Sequence, residues 1–174
     1  PMRIGIIAGH KEYDPGAVCD DGLTEAEVNL AIAEMVVANL RTAGIRTDLL
    51  NEYDERLNGY SGTALVSIHA DSCDYYNDGA TGFKIAASAY TDSTMLFSCM
   101  EDNYRTTTLL PYHANTLTQD MSDYHAFREV AFGTPAVIIE TGFMNLDREL
   151  LTTNADVPAK AITEGILCYI STTR

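Results

Sequence analysis

Three stretches of this chain are apolar almost without interruption and then stop on an ionisable side chain: "GIIAGH" at 5–10, "LVSIH" at 65–69 and "AVIIE" at 136–140. A strand with one wet face alternates apolar and polar residues. An unbroken short run marks a strand covered on both faces, which is the habit of parallel sheets clad by other layers. Three such runs commit the chain to a layered α/β arrangement, provided that helices lie between the strands.

Helices do lie between them. The first strand is read at 3–9. Thr24-Glu25-Ala26-Glu27 then fits the S/T-x-x-E capping box, with Val28, Ile32 and Met35 following at helical spacing and Gly44 as the stop. Further strands are expected at 45–50, 63–70, 82–89 and 135–142, and a helix at 93–105. A closing helix begins around Pro158 and carries Ala159, Ile162, Ile166 and Ile170. Residues 106–130 read as irregular, with a short extended piece at 124–129. The expectation is a single α/β domain over residues 1–174, a twisted, mainly parallel sheet flanked by helices on both faces.

Charge narrows the partners. The net charge is −14, with only 11 Lys and Arg among 174 residues, so a nucleic-acid ligand and an anionic membrane surface are both disfavoured. No apolar run approaches the roughly 20 residues of a membrane span, and no signal-peptide pattern opens the chain. Pro1 ahead of Met2 suggests Met2 as the native first residue of a protein made without a signal peptide. Cys19, Cys73, Cys99 and Cys168 are scattered, with no C-x-x-C pair, so free thiols are expected rather than a thiolate metal site or a cystine scaffold.

In an open α/β sheet, ligands gather beyond the carboxyl ends of the strands. His10, His69 and Glu140 each stand at such an end, where apolar residues would serve a core better. Either histidine alone is more simply a hydrogen-bonded structural residue; the pair on one sheet edge, with carboxylates near, suits Zn²⁺. Glu25 is the best-placed third ligand, because the loop after His10 returns it to the edge; its plainer role is to complement the helix dipole. Glu140 then serves as the proton-transferring base, its pKa raised by an apolar setting, or as a fourth ligand that would close the site.

These residues, in this order, resemble the zinc-dependent N-acetylmuramoyl-L-alanine amidases of the third amidase type. The match runs through "AGHKEYDPGA" (8–17), "GLTEAEVNL" (22–30), "SIHA" (67–70) and "PAVIIETGFMN" (135–145), and so spans nearly the whole chain. The resemblance implies a sheet of about six strands, zinc held by His10, Glu25 and His69, and Glu140 as the catalytic glutamate. It implies a peptidoglycan hydrolase that cuts the amide between the lactyl group of muramic acid and L-alanine of the stem peptide. Lys11-Glu12 replace the family's usual glycines after the first histidine, and the Thr-Arg common after the second strand is missing.

Arg128, before the catalytic strand, is a candidate to hold a substrate carboxylate or to pair with a glutamate such as Glu129; Asp71 is a second candidate substrate contact. His113 and His125 read as surface or groove-lining residues, and Asp14 as the residue orienting the "DPGA" turn. The expected partner is peptidoglycan, met by a monomer, either as a secreted or periplasmic autolysin or as a phage endolysin released from the host cytoplasm. Two rivals remain: a zinc peptidase cutting within the stem peptide, and a wall-binding module on a degenerate amidase fold.

Overall fold

The structure, a computed structural model, describes residues 2–173, so Pro1 lies outside it. Five strands, β1 (Arg3–Ala8), β2 (Arg46–Leu50), β3 (Ala64–Asp71), β4 (Lys84–Ala87) and β5 (Ala136–Phe143), form one sheet in the order β2-β1-β3-β5-β4. β2, β1, β3 and β5 run parallel, and β4 returns antiparallel along β5. All five strands read from the residues are present, but the sixth implied by the resemblance does not form among the described residues. The segments left for it, 51–62 and 106–130, contain only short helical turns and isolated bridges.

The unbroken apolar runs have the cause expected of them: β1 and β3 sit inside the sheet with both faces covered. On one face three long helices, α1 (Glu25–Thr42), α2 (Thr94–Thr108) and α6 (Asp156–Thr172), bury Ile4, Ile6, Val66, Ile68, Val137 and Ile139 against Ile32, Val36, Leu96, Met100, Ile162 and Ile166. The other face is covered more thinly. There Ile7, Leu65 and Ile138 meet Leu57, Tyr60, Tyr124 and Phe127, contributed by loops and by the single turns α3 (Gln119–Ser122) and α4 (His125–Glu129). A further short helix, α5 (Arg148–Leu151), leads into α6. No helix among the described residues is long and apolar enough to cross a membrane.

The capping box holds as read. Thr24 accepts from the Glu27 backbone, and the Glu27 side chain accepts from the Thr24 backbone at 2.9 Å, an arrangement that typically stabilises a helix start by about 0.5–2 kcal/mol. This fixes where α1 begins, and Glu25 is its first residue. Residues 124–129 are not extended as expected: no strand among the described residues lies beside them to complete a ladder, and their backbone groups pair within the turn, Phe127 N–H to the Tyr124 carbonyl at 3.0 Å and Val130 N–H to the Ala126 carbonyl at 3.1 Å, which makes α4 helical.

The cysteines also depart from expectation. Cys19 pairs with Cys73 and Cys99 with Cys168, leaving no free thiol. The partners stand 54 and 69 residues apart, so no local spacing announces them; the first bond ties the loop after β1 to the loop after β3, and the second rivets α2 to α6. Each bond is expected to contribute about 2–4 kcal/mol. The native protein should therefore resist alkylation by iodoacetamide until a reductant is added, and should melt at a lower temperature once reduced; rapid labelling of unreduced, folded protein would contradict both pairings.

Candidate metal centre

β1 and β3 end side by side, with Ala8 opposite Ile68, so the residues that follow each strand emerge at the same carboxyl edge. His69 is still in β3 and stands in register with Glu140 of β5. Neighbours in register on parallel strands face the same side, so the sheet itself sets these two side chains next to each other. Beyond them the pairing shifts and Asp71 comes opposite Phe143. The Ala70 N–H points to the other side, towards β1, whose pairing with β3 ends at Ala8 and Ile68. It donates instead to Glu25 Oε1 at 3.2 Å.

Glu25 is the hub. Its Oε1 lies 3.2 Å from His10 Nε2, 3.2 Å from His69 Nδ1 and 3.3 Å from Asn29 Nδ2, while its Oε2 accepts from the Ala17 N–H at 3.1 Å. Asn29, one helical turn on, also donates to the Gly9 carbonyl and so ties α1 to the end of β1. The result is a group of three side chains from three elements whose possible ligand atoms all lie within 4.8 Å of one another: His10, Glu25 and His69. This is the set expected from the sequence. Two neutral imidazoles and a carboxylate fit a divalent ion of borderline softness, and a three-residue set leaves room for a water or substrate ligand.

Electrostatics say the same. Burial opposes charge on Glu25, yet the two histidines hold its carboxyl far below the usual range. His69 is pushed up to about 10: burial opposes its cationic form, but hydrogen bonding to Glu25, the nearby Glu52 carboxylate and the charge of Glu140 outweigh it. His10 is raised as well, chiefly by Glu25 and against its own burial. Both histidines are thus biased towards their cationic forms beside one carboxylate, so the cavity favours positive charge, which a metal ion could supply in place of protons.

Glu140 differs from the other carboxylates. Burial, reinforced by Glu25 and Asp71 and opposed by His69 and Lys84, pushes it up to about 8, and its Oε2 is buried without a hydrogen-bond partner. It stands outside the group formed by His10, Glu25 and His69. Beside it, Asp71, Tyr76, Lys84, His113 and Phe143 line a cavity of about 400 Å³, and Lys84 stands opposite Glu140 across β4 and β5. The Asp71 carboxylate on this wall is 2.6 Å from Lys84 Nζ.

Arg128 is not brought to the centre. Its guanidinium binds Asp123, both through the backbone carbonyl and the carboxylate, rather than Glu129. Glu129 instead bonds His125, whose other ring nitrogen lies 2.8 Å from Glu52. His113 contacts Thr116 and the Gly79 carbonyl, away from the three ligand candidates.

The loop after β1 pays a conformational cost to reach this geometry. His10 and Glu12 both take the left-handed backbone conformation, at φ of 65° and 58°, which non-glycine residues adopt with strain. Glu12 thereby keeps the shape that glycine favours where the family has glycine, and it is held by Lys11 and Asn51. Asp14 steadies the other side, contacting His10 Nδ1 and accepting from the Gly16 N–H at 3.0 Å. Glu52 carries no mark in the sequence, falling between the strands expected at 45–50 and 63–70; it lies two residues past β2, which ends at the same carboxyl edge as β1 and β3.

The sequence profile of the N-acetylmuramoyl-L-alanine amidases matches residues 4–168. The chain belongs to that family. Among solved structures it is similar to the N-acetylmuramoyl-L-alanine amidase AmiC2 of Nostoc punctiforme, at 27% identity and a TM-score of 0.73, over 98% of this chain and 97% of that one. It shares its fold with Ami1 of Mycobacterium smegmatis, at 21% identity and a TM-score of 0.79 over 98% and 97% of the two chains. The fold is also that of the CwlD amidase of Clostridioides difficile, solved in complex with the GerS lipoprotein, at 22% identity and a TM-score of 0.77 over 99% and 100%. No curated protein sequence matches.

The family's "DPGA" turn has a measurable purpose here. Gly16 sits at φ 64°, and a Cβ on it would fall 2.6 Å from Glu25 Oε2 and 2.8 Å from both Glu25 Cβ and His10 Cδ2. Gly16→Ala is expected to destabilise the fold by about 1–3 kcal/mol through strain and overlap, and to lower metal content without changing a ligand. A thermal melt together with elemental analysis checks this; unchanged values for both would show that the loop relaxes freely.

Proposed function

We propose that this chain is a zinc-dependent amidase that separates the stem peptide from the glycan of peptidoglycan, with His10, Glu25 and His69 as ligands and Glu140 as the general base and acid. The observation that carries the reading is the pairing of a complete three-residue ligand set with a buried, partnerless carboxylate oxygen one strand away, in a chain of this family. Zinc held by the three residues supplies Lewis acidity that activates water and polarises a carbonyl.

The protein's own groups do the rest. Glu140 takes a proton from the water that attacks the lactyl carbonyl, then returns it to the amine of L-alanine as the C–N bond breaks, so one carboxyl serves both halves of the hydrolysis. Asn29 and the N–H groups of Ala17 and Ala70 fix Glu25, and Asp14 fixes His10, so that the ligands are held before any ion arrives. The cavity beside Glu140, with Asp71 on its wall, is the candidate seat for substrate next to the scissile bond.

The reading extends to the setting in which the enzyme works. Two disulfides form and persist in oxidising surroundings, which supports residence outside the cytoplasm, as for a secreted autolysin, over accumulation as a cytoplasmic endolysin. A net charge of −14 supports a monomer that acts on the wall alone.

Mass spectrometry of soluble products from purified peptidoglycan tests the activity. Peptides with free L-alanine at the amino end, lost with a chelator and restored by Zn²⁺, are expected; cleavage inside the stem peptide would show a peptidase instead. Glu140→Gln should retain zinc while turnover falls about 10²–10⁴-fold, whereas His69→Ala should lose the metal. Zinc retained at full occupancy by His69→Ala would remove that residue from the ligand set.

A further inference from the structure

Glu52 makes more contacts around the metal centre than its place in a loop would suggest. It is only 5% exposed, and its two oxygens have separate tasks. Oε1 is held by the Tyr124 hydroxyl at 2.7 Å and His125 Nε2 at 2.8 Å. Those partners are themselves fixed: Tyr124 also shares a hydrogen bond with Ser67 of β3, and His125 is bonded to Glu129 and stacked on Tyr53 with ring centroids 4.2 Å apart. Oε2 faces the site. It accepts from the His10 backbone N–H at 2.7 Å and lies 3.3 Å from His69 Nε2.

Each histidine therefore turns one nitrogen to Glu25 and the other to a different carboxylate. For His10 these are Nε2 and, with Asp14, Nδ1; for His69 they are Nδ1 and, with Glu52, Nε2. A carboxylate behind the non-ligating nitrogen fixes the tautomer and the ring orientation and makes the imidazole a better donor. His69 Nε2 has no aligned hydrogen-bond partner in this structure, and Glu52 Oε2 is the carboxylate oxygen within reach. The same oxygen also pins His10 in its left-handed conformation, which an unsupported backbone would leave.

We propose that Glu52 is a positioning residue that couples the two histidine ligands: it holds the His10 backbone and orients the His69 ring through one oxygen, while Tyr124 and His125 lock the other. This rests on the zinc reading given above.

Zinc affinity, measured on the full chain by competition with a chromophoric chelator, tests this without any substrate. Glu52→Gln is expected to bind zinc about 10–100-fold more weakly and to shift the visible bands of the cobalt-loaded protein. Asp48→Asn, which weakens a distant, partly buried contact with Arg3 and Tyr60, should lower stability and leave both readouts alone. Wild-type zinc affinity, or unshifted cobalt bands, in folded Glu52→Gln overturns the inference and leaves the amidase reading standing. Should Glu52→Gln not fold, Tyr124→Phe decides: weakened zinc binding is expected, and wild-type affinity overturns the inference. A wild-type protein that takes up no zinc overturns the cofactor assignment and this inference with it.

Discussion

The buried Glu25 carboxylate joins parts of the chain that nothing else brings together at one point. It is the first residue of α1, accepts from the loop after β1 through Ala17 and from the end of β3 through Ala70, and faces both histidines. A carboxylate this deeply placed is tolerated only when its lone pairs are filled and its charge is opposed. Both conditions bind distant segments: the Ala70 N–H is available because β1 stops pairing with β3 at Ala8 and Ile68, and the Ala17 N–H follows the turn at Gly16. Strand end, turn and helix start thus meet at one charge.

Around that hub, negative charge is arranged in layers of different character. Glu25 and Glu52 remain ionised because histidines stand against them, while Glu140, nearby but lacking an aligned partner on its buried oxygen, is pushed towards the neutral form. Three glutamates in one edge therefore divide into two held as carboxylates and one biased towards its neutral form. Their surroundings decide the roles, since the residue type is the same. Lys84 is buried beside them but bonded to Asp71 and Thr116, so it tempers the local field rather than offering a free cation to a ligand.

The scaffold is unevenly built, and the site uses both halves. The three-helix face, riveted by Cys99–Cys168, supplies a rigid core behind the strands. The thinner face, made of loops and single turns, carries Tyr124, His125 and Glu52 towards His69. The second disulfide, Cys19–Cys73, fastens the two loops that flank the ligand set, where secondary structure cannot.

Much of this was legible in the sequence, because it depends on local pattern. Apolar runs without alternation give buried parallel strands, T-x-x-E gives the start of α1, and strand ends that stop on His, His and Glu mark the edge where ligands gather. What the sequence did not reveal depends on distant partners. The cystines join residues 54 and 69 positions apart, Arg128 found Asp123 rather than Glu129, and residues 124–129, with no neighbouring strand among the described residues to pair with, closed their backbone bonds in a helical turn. Glu52 shows the difference most clearly. As a letter in "LLNEYDE" it is one acidic residue among several in a polar loop; only when β2 lies beside β1 and α4 folds over the sheet do His10, His69, His125 and Tyr124 surround it. Local chemistry determined which residues face the edge, and tertiary packing decided which buried charges those residues would have to satisfy.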